Sequence, residues 1–491
     1  MSVEPYTWPA VNEFLTRESD LSRLDEWWSV GDREPLAMFG RRRVGKSWLF
    51  RRFAHGRPAV VLVAEDLPSG SQMSRFARQL EPVLGVRPEL PDVQTLFTVL
   101  YRAARHQKIL VVIDEFPYLL GATAPERGRT LTALQAVMEE ERDQSKLKLV
   151  LCGSHIAVME SLFSEKNPLH GRLRRFEVRP LTFADADAFV SHLAPLAAFE
   201  RYAIAGGVPR YLAALGAGSL SNAVIRAALD KDSPLWDEGR TLVDQELREP
   251  RVYFGILEQL AGGAKEINEI SQALRIDTSP LSQYLRNLDE LRLVSRSVPV
   301  GSRASARGGL WQIEDPFLRF WFRFVFPFQA DLEAGLRPAD LFEGEVKGHV
   351  SEHVATVFEA WCQAWTRENH GLVAPQVGRW WGNSLDEFRR DRTRSTEEID
   401  VVGLRRGTAT LVGEAKWTTA QMSASIIRDL DTFKVPALKQ AGLKIASELR
   451  IVLWSKSGYA SSLVELARQD QRITLVDVEA VLGQGRTTPQ S

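Results

Sequence analysis

Gly40-Arg41-Arg42-Arg43-Val44-Gly45-Lys46-Ser47 matches the pattern G-x-x-x-x-G-K-[ST] without a gap. It follows a short apolar run, Pro35 to Phe39, and leads into a helical stretch, Trp48 to Ala54. That strand–loop–helix context is what a phosphate-binding loop requires. Glycines at 40 and 45 let backbone N–H groups wrap an anion with no Cβ in the way. The helix N-terminus adds its partial positive charge. In this arrangement Lys46 would reach the β- and γ-phosphates of a nucleotide and Ser47 would hold Mg²⁺. The lining would run from Gly40 through Arg41, Arg42, Arg43, Val44 and Gly45 to Trp48. A glycine turn that happens to precede a helix is the plain alternative.

The residues downstream supply what such a loop needs. Lys108 to Ile113 is a nearly continuous apolar run ending in Asp114-Glu115. A strand covered on both faces by helices reads this way. Its terminal acids would stand beside the loop, Asp114 in the Mg²⁺ shell and Glu115 as the general base that polarises water. The next strand, Lys146 to Cys152, ends at Gly153-Ser154-His155. Ser154 is the candidate γ-phosphate sensor, with His155 second; a capping serine is the alternative. Arg172, Arg174 and Arg175 precede a further strand. Arg172 is the candidate arginine finger, and a solvated basic rim is the alternative. Gly206-Gly207-Val208-Pro209-Arg210 opens a helix, so that Pro209, with Arg210, can be set against the nucleotide from a small helical lid. Arg17 or Glu18, at the start of an entry helix, would lie near the base.

Together these stretches resemble the archaeal-type ATPases of the STAND class, which are P-loop switches. The resemblance rests on Phe14 to Glu18, Gly40 to Ser47, Asp114-Glu115-Phe116-Pro117, Gly153-Ser154, Pro168-Leu169-x-Gly171-Arg172 and Gly207 to Leu212, and covers about residues 11–215. It implies an α/β ATPase of the ASCE type, whose sheet inserts a strand between the two Walker strands. His155 departs from the family, which more often has a second small hydroxyl residue there.

Residues 216–313 change character. Ile267, Ile270 and Leu274, then Leu281, Leu285 and Leu288, keep helical spacing on either side of a turn at Arg275-Ile276-Asp277. Two short strands follow around a Gly/Ser/Arg-rich tip. This is the pattern of a winged helix-turn-helix. In a DNA-binding version Ser282, Gln283 and Arg286 would face a groove, with Arg303 and Arg307 on the wing. Asp277, Asp289 and Glu290 flank the recognition helix and weaken its basic character. The other reading is a module that only packs against the ATPase.

Residues 314–491 hold a second constellation. An aromatic-dense stretch, Glu314 to Phe324, has more apolar residues than one helix face holds and should be buried between domains or against a partner. Glu397 to Leu404 is a strand containing Asp400, and Thr410 to Trp417 is a second strand carrying Glu414-x-Lys416. Period-2 alternation puts Glu414 and Lys416 on one face. A hairpin between residues 402 and 410 would bring Asp400 beside Glu414. Two carboxylates suit Mg²⁺, and a lysine on the same face can orient water or stabilise developing phosphate charge. A solvent-facing salt-bridged hairpin is the alternative. The region resembles the PD-(D/E)xK nuclease superfamily, and more closely the C-terminal domain of unknown function often fused to these ATPases. That resemblance covers about residues 311–480 and implies Glu359, Asp400, Glu414 and Lys416 as the site. Ile399 stands where the superfamily name has proline. A nuclease fold that binds DNA without turnover is a third possibility.

The bulk properties agree with a multidomain protein of the cytosol. The chain has 491 residues, 44% hydrophobic and 25% charged, with a formal net charge of −1, so any basic surface is local. The length suggests about three domains. Cys152 and Cys362 are the two cysteines; each sits in an apolar run, which reads as a small buried residue rather than a ligand or disulfide. The N-terminus reads as lacking a signal peptide, and no apolar run approaches the ~20 residues of a membrane helix. The expectation is an ATP- and Mg²⁺-dependent switch acting on DNA through a nuclease-like domain, with homo-oligomerisation open because an arginine finger can act in trans. The rival expectation is a non-nucleolytic regulator whose winged-helix and C-terminal parts bind protein partners or DNA.

Overall fold

In the computed structural model, residues 3–31, 33–216, 218–247, 250–303, 308–387 and 395–484 are described. The chain divides into two compact units. The first runs to Phe189 and takes back Gly207–Arg210; the second comprises Val190–Gly206 and everything from Tyr211 onward. This differs from the three-part division expected from sequence. The helix Pro195–Ala205, which falls inside the expected ATPase part (residues 1–215), clusters with the C-terminal half.

The first unit is built on five parallel strands: β1 (Leu36–Phe39), β2 (Ala59–Val63), β3 (Ile109–Asp114), β4 (Leu147–Gly153) and β5 (Arg174–Glu177). Their order is β2-β3-β4-β1-β5. The strand inserted between β1 and β3 is therefore β4, in register Leu36 with Val150 and Val112 with Val150. Every residue of β1, β3 and β4 is buried, because helices cover both faces. Phe76, Leu80, Leu100 and Leu134 lie in the core on one side. Trp27, Leu49 and Phe53 lie in the core on the other. The longer helix between β3 and β4 starts at Ala124, where Thr123 and Glu126 form a reciprocal capping box that satisfies two orphan backbone donors.

In the second unit the helices Ile267–Leu274 and Thr278–Glu290 bury Ile270, Leu281, Leu285 and Leu288. They carry a small sheet, β6 (Lys265–Glu266), β7 (Val294–Ser297) and β8 (Leu310–Ile313), in the order β6-β8-β7. The helix Pro316–Phe324 is buried nearly all round, as its aromatic density requires. A long helix, Val350–His370, then precedes a mixed sheet. Its strands are β9 (Gln376–Asn383), β10 (Thr396–Arg405), β11 (Thr408–Lys416), β12 (Lys444–Ser455) and β13 (Ile473–Asp477). The order is β13-β12-β11-β10-β9; β9 to β11 run antiparallel, and β12 and β13 join parallel to β11.

Candidate functional site

The phosphate loop sits where β1 ends and the helix Lys46–Ala54 begins. Gly40 is held close: a Cβ there would stand 2.1 Å from the Val178 carbonyl oxygen. Gly45 has φ +95°, a left-handed backbone that glycine adopts without a steric penalty. Lys46 is buried and donates to the carbonyls of Gly40 (2.8 Å) and Arg41 (2.9 Å). Burial pulls its pKa below the ordinary lysine value, against the opposing pull of Cys152, Glu115 and Asp114. Ser47 Oγ donates to Asp114 Oδ2 at 3.2 Å, so the two expected Mg²⁺ ligands already meet. Burial pushes the Asp114 carboxyl up, while bonds from the Cys152 thiol, the Glu115 N–H and the Ser47 hydroxyl oppose it. Cys152 is fully buried, as its apolar run implied.

Glu115 follows in a left-handed conformation, φ +51°, and opens the short helix Phe116–Leu119. Ser154 Oγ reaches its carboxylate at 2.9 and 3.1 Å. Among the described contacts, then, the expected phosphate sensor holds the expected base. His155 packs edge-on against Tyr118. Arg17 is buried and donates to the carbonyls of Val44 and, at 3.0 Å, of Arg179. It clasps the loop backbone, where the sequence reading sets Arg17 or Glu18 near the base. Glu18 and Arg210 are exposed. Pro209 is at the loop: a Cβ on Gly45 would meet Arg17 Nε at 3.7 Å and Pro209 Cγ at 3.9 Å.

Arg172 is a correction. Because β5 runs parallel to β1, with Arg174 opposite Leu36, the residues preceding it lie where β1 starts, at the far end of the strands from the loop. Arg172 pairs there with Glu139 at 2.6 Å. It does not line the phosphate site of its own chain.

On the recognition helix, Gln283 and Arg286 are exposed and bonded to each other, whereas Ser282 turns back to the Thr278 carbonyl. The wing does not stand free. Val300 N–H donates to the Arg379 carbonyl on the edge strand β9 at 2.9 Å. A Cβ on Gly301 would meet Leu404 and Leu443 at 3.0 and 3.1 Å. The start of this segment thus lies against the C-terminal sheet, while Gly301 and Ser302 are exposed. Arg303 is exposed; Arg307 lies outside the described residues.

The C-terminal constellation converges. Val401 pairs with Gly413, which puts Asp400 across from Glu414. The pairing of β10 with β9 shifts register between Ile399 and Val402, a bulge at Asp400 that re-aims its side chain. Asp400 Oδ2 accepts from the Ala415 N–H (2.9 Å) and from Lys416 Nζ (3.1 Å). Glu359, from the long helix, brings its carboxylate to Asp400, and Glu398 joins them: one oxygen from each of the three lies within 4.8 Å of the others. Burial pushes Glu359 up to about 7, with the Asp400 charge second. Glu414 is fully buried and lies outside that group. Its oxygens face Lys416 at 3.0 Å and Lys434 at 2.6 Å. The carboxylates placed to share a cation are thus Asp400, Glu359 and Glu398, with Glu414 set apart from them. Burial would lower the Lys416 pKa, but Asp400 and Glu414 outweigh it and raise it.

Sequence reasoning missed Glu398, Lys434, Gln363 and Arg379. Glu398 is two residues from Asp400 on one strand, so alternation could have found it. Gln363 lies one helical turn after Glu359 and donates to the Asp400 carbonyl at 2.9 Å. Arg379 pairs with Glu398 across β9 and β10. Lys434 had no local signal.

Three stretches of the chain match models of known families. Residues 14–215 match the model of an ATPase domain predominantly from Archaea. That stretch is similar to an archaeal-type P-loop ATPase domain. Residues 254–296 match the bacterial regulatory protein, arsR family, and residues 321–427 match archaeal and bacterial proteins of unknown function. The uncharacterized protein MJECL04 of Methanocaldococcus jannaschii is 28% identical over 415 residues, spanning 82% of this chain and 87% of its own length. Among solved structures, the Walker-type ATPase PABY2304 of Pyrococcus abyssi superposes with a TM-score of 0.50 at 19% identity, covering 66% of this chain and 99% of that one. That likeness supports the fold alone. The ORC2 protein of Aeropyrum pernix, in ADPNP–ADP complexes, reaches a TM-score of 0.44 at 15% identity over 66% of this chain and 98% of its own, a likeness that carries no argument. Among the described residues no helix is long and apolar enough to cross a membrane.

Proposed function

We propose that the chain is an ATP-hydrolysing switch of the STAND type controlling a metal-dependent, nuclease-like site that acts on DNA. The observation that carries the reading is the meeting of Glu359, Glu398 and Asp400 within 4.8 Å, with Lys416 Nζ 3.1 Å from Asp400. Three carboxylates with no soft ligand suit a hard cation such as Mg²⁺ or Mn²⁺. A bound divalent cation there supplies Lewis-acid polarisation and a more acidic water. The residues of the chain do the rest. Glu359, Glu398 and Asp400 hold the position, the Ala415 N–H and Gln363 fix Asp400, and Lys416 offers a cation to the charge that develops on phosphate.

At the other site Lys46 would exchange its two loop carbonyls for the phosphates of ATP, and Ser47 with Asp114 would hold Mg²⁺. Glu115 takes the proton of the attacking water, once it turns from Ser154. Gln283 and Arg286 are the exposed residues with which the helix-turn-helix would meet DNA. Plasmid DNA incubated with Mn²⁺ or Mg²⁺ tests the C-terminal assignment. Cleavage abolished by Asp400→Ala and by Lys416→Ala is expected. Absence of cleavage with either metal, with and without ATP, contradicts it. The rival, a non-nucleolytic regulator, draws on one observation: both oxygens of Glu414 already face lysines. In that case nucleotide-dependent DNA or protein binding remains while cleavage is absent.

A further inference from the structure

The helix Pro195–Ala205 belongs by chain order to the ATPase half, and both its ends return there: Phe189 precedes its approach, and Gly207–Arg210 follows it. Its own packing is elsewhere. Phe199, fully buried, sets its ring against Trp417 (5.1 Å between centroids), Phe358 (5.8 Å) and Trp361 (6.0 Å). Phe358 and Trp417 also touch each other, at 5.0 Å. Phe358 is the neighbour of Glu359, and Trp417 is the neighbour of Lys416. One aromatic ring therefore braces the two segments that present the outermost members of the carboxylate–lysine site.

Two polar contacts fix the same helix. Glu200 pairs with Lys456 at 3.0 Å, beyond the end of β12, and Lys456 Nζ lies over the Trp417 ring at 4.9 Å. The Ala203 carbonyl accepts from His353 Nε2 at 3.1 Å, on the helix that carries Glu359. Burial holds His353 neutral, well below the usual histidine range, so its other nitrogen can accept from Arg319.

The C-terminal end of the helix leads straight to the phosphate loop. Gly206 and Gly207 have φ +66° and +72°, and Gly207 exchanges backbone contact with Leu181, whose N–H donates to the Gly207 carbonyl at 2.8 Å. A Cβ on Gly207 would stand 2.1 Å from the Leu181 carbonyl oxygen, so this turn admits only glycine without moving the backbone. Two residues on, Pro209 lies against Gly45. Five residues of backbone thus join a group on the phosphate loop to the helix that braces the second site.

We propose that Phe199 is a positioning residue for the Glu359–Lys416 site, and that nucleotide at the phosphate loop resets it through the Pro209 turn and the helix Pro195–Ala205. Coupling of this kind is reciprocal: a change at Phe199 alters the nucleotide response, though Phe199 touches no nucleotide residue. The inference rests on the ATP-binding part of the proposed function and is independent of cleavage.

Hydrogen–deuterium exchange on the full chain, with and without ADP or a non-hydrolysable ATP analogue, tests it. In the wild type, nucleotide should protect segment 40–54 and also shift exchange in segments 352–362 and 412–418 by severalfold. Phe199→Ala should keep the first change and lose the second, and Phe199→Leu should restore part of it. Lys456→Gln, a milder lesion on the same helix contact, should reduce it and serves if Phe199→Ala does not fold. Protection of the loop with no response in the two distal segments overturns the inference alone, as does a response that persists undiminished in the Phe199 and Lys456 variants. No protection of the loop overturns the inference together with ATP binding. A response without any DNA cleavage sinks the nuclease reading and leaves the coupling standing.

Discussion

At the phosphate site Lys46 folds back on two carbonyls of its own loop, whereas at the C-terminal site Lys416 lies between Asp400 and Glu414. Both sites place a lysine beside strand-end acids, yet burial lowers one lysine's pKa and carboxylates raise the other's. The difference follows from what holds each cation. Loop carbonyls are neutral, so Lys46 is a desolvated charge that gains when an anion arrives. Lys416 already has its counter-charges, so an incoming phosphate must compete with two carboxylates unless a metal cation takes up their charge. Among the described residues the first lysine lacks a counter-charge at hydrogen-bond distance, and the second has two.

The comparison breaks most visibly if Lys46 is dispensable. Lys46→Ala should reduce ATP hydrolysis by about 10² to 10³-fold, measured as phosphate release, because one transition-state cation is lost. Glu115→Gln should give a loss of about 10²-fold or more with nucleotide binding retained, which equilibrium titration would check.

A smaller effect probes the second site through pH. Glu359 has its folded pKa raised from 4.5 to about 7, so the folded chain keeps a proton the unfolded chain has released. The cation-free protein should therefore lose stability as pH climbs from about 4.5 to about 7, then level off. Mn²⁺ needs the carboxylate, so its stabilising effect should grow over the same window. Tm with and without Mn²⁺ at pH 5.5 and pH 8 checks both signs, and Glu359→Gln should flatten them. Lys434→Met removes one of two counter-charges from fully buried Glu414 and should cost about 3 kcal/mol, read by denaturant unfolding. The smallest effect is expected at the helix-turn-helix. Arg286→Ala should weaken duplex DNA binding less than about tenfold and reduce the salt slope by about one.

What the sequence made legible divides along the same line. The phosphate loop is contiguous, and its strand and helix neighbours are dictated by local pattern, so its place beside Asp114 needed only the order of parallel strands. The Asp400–Glu414 pairing was also accessible, because a short hairpin fixes register. Glu398 was in view but unassigned, although it shares a face with Asp400. Lys434 comes from a separate helical turn and is brought in by tertiary packing alone, with no periodicity to announce it. Arg172 lies away from the loop of its own chain for a topological reason: an arginine before a parallel edge strand stands at the opposite end of the strands from the loop. The two strands of the wing were legible, β7 and β8, but the contacts of Val300 and Gly301 with the C-terminal sheet are tertiary and leave no mark in the local sequence.

The central claim is that nucleotide at Lys46 governs chemistry at Asp400. The most direct measurement is plasmid cleavage in Mn²⁺, with ATP, with ADP and without nucleotide, for the wild type, Lys46→Ala and Asp400→Ala. The account predicts cleavage that depends on nucleotide in the wild type, loses that dependence in Lys46→Ala, and vanishes in Asp400→Ala. Cleavage at one rate under all three conditions in both wild type and Lys46→Ala, or cleavage that survives Asp400→Ala, would contradict it.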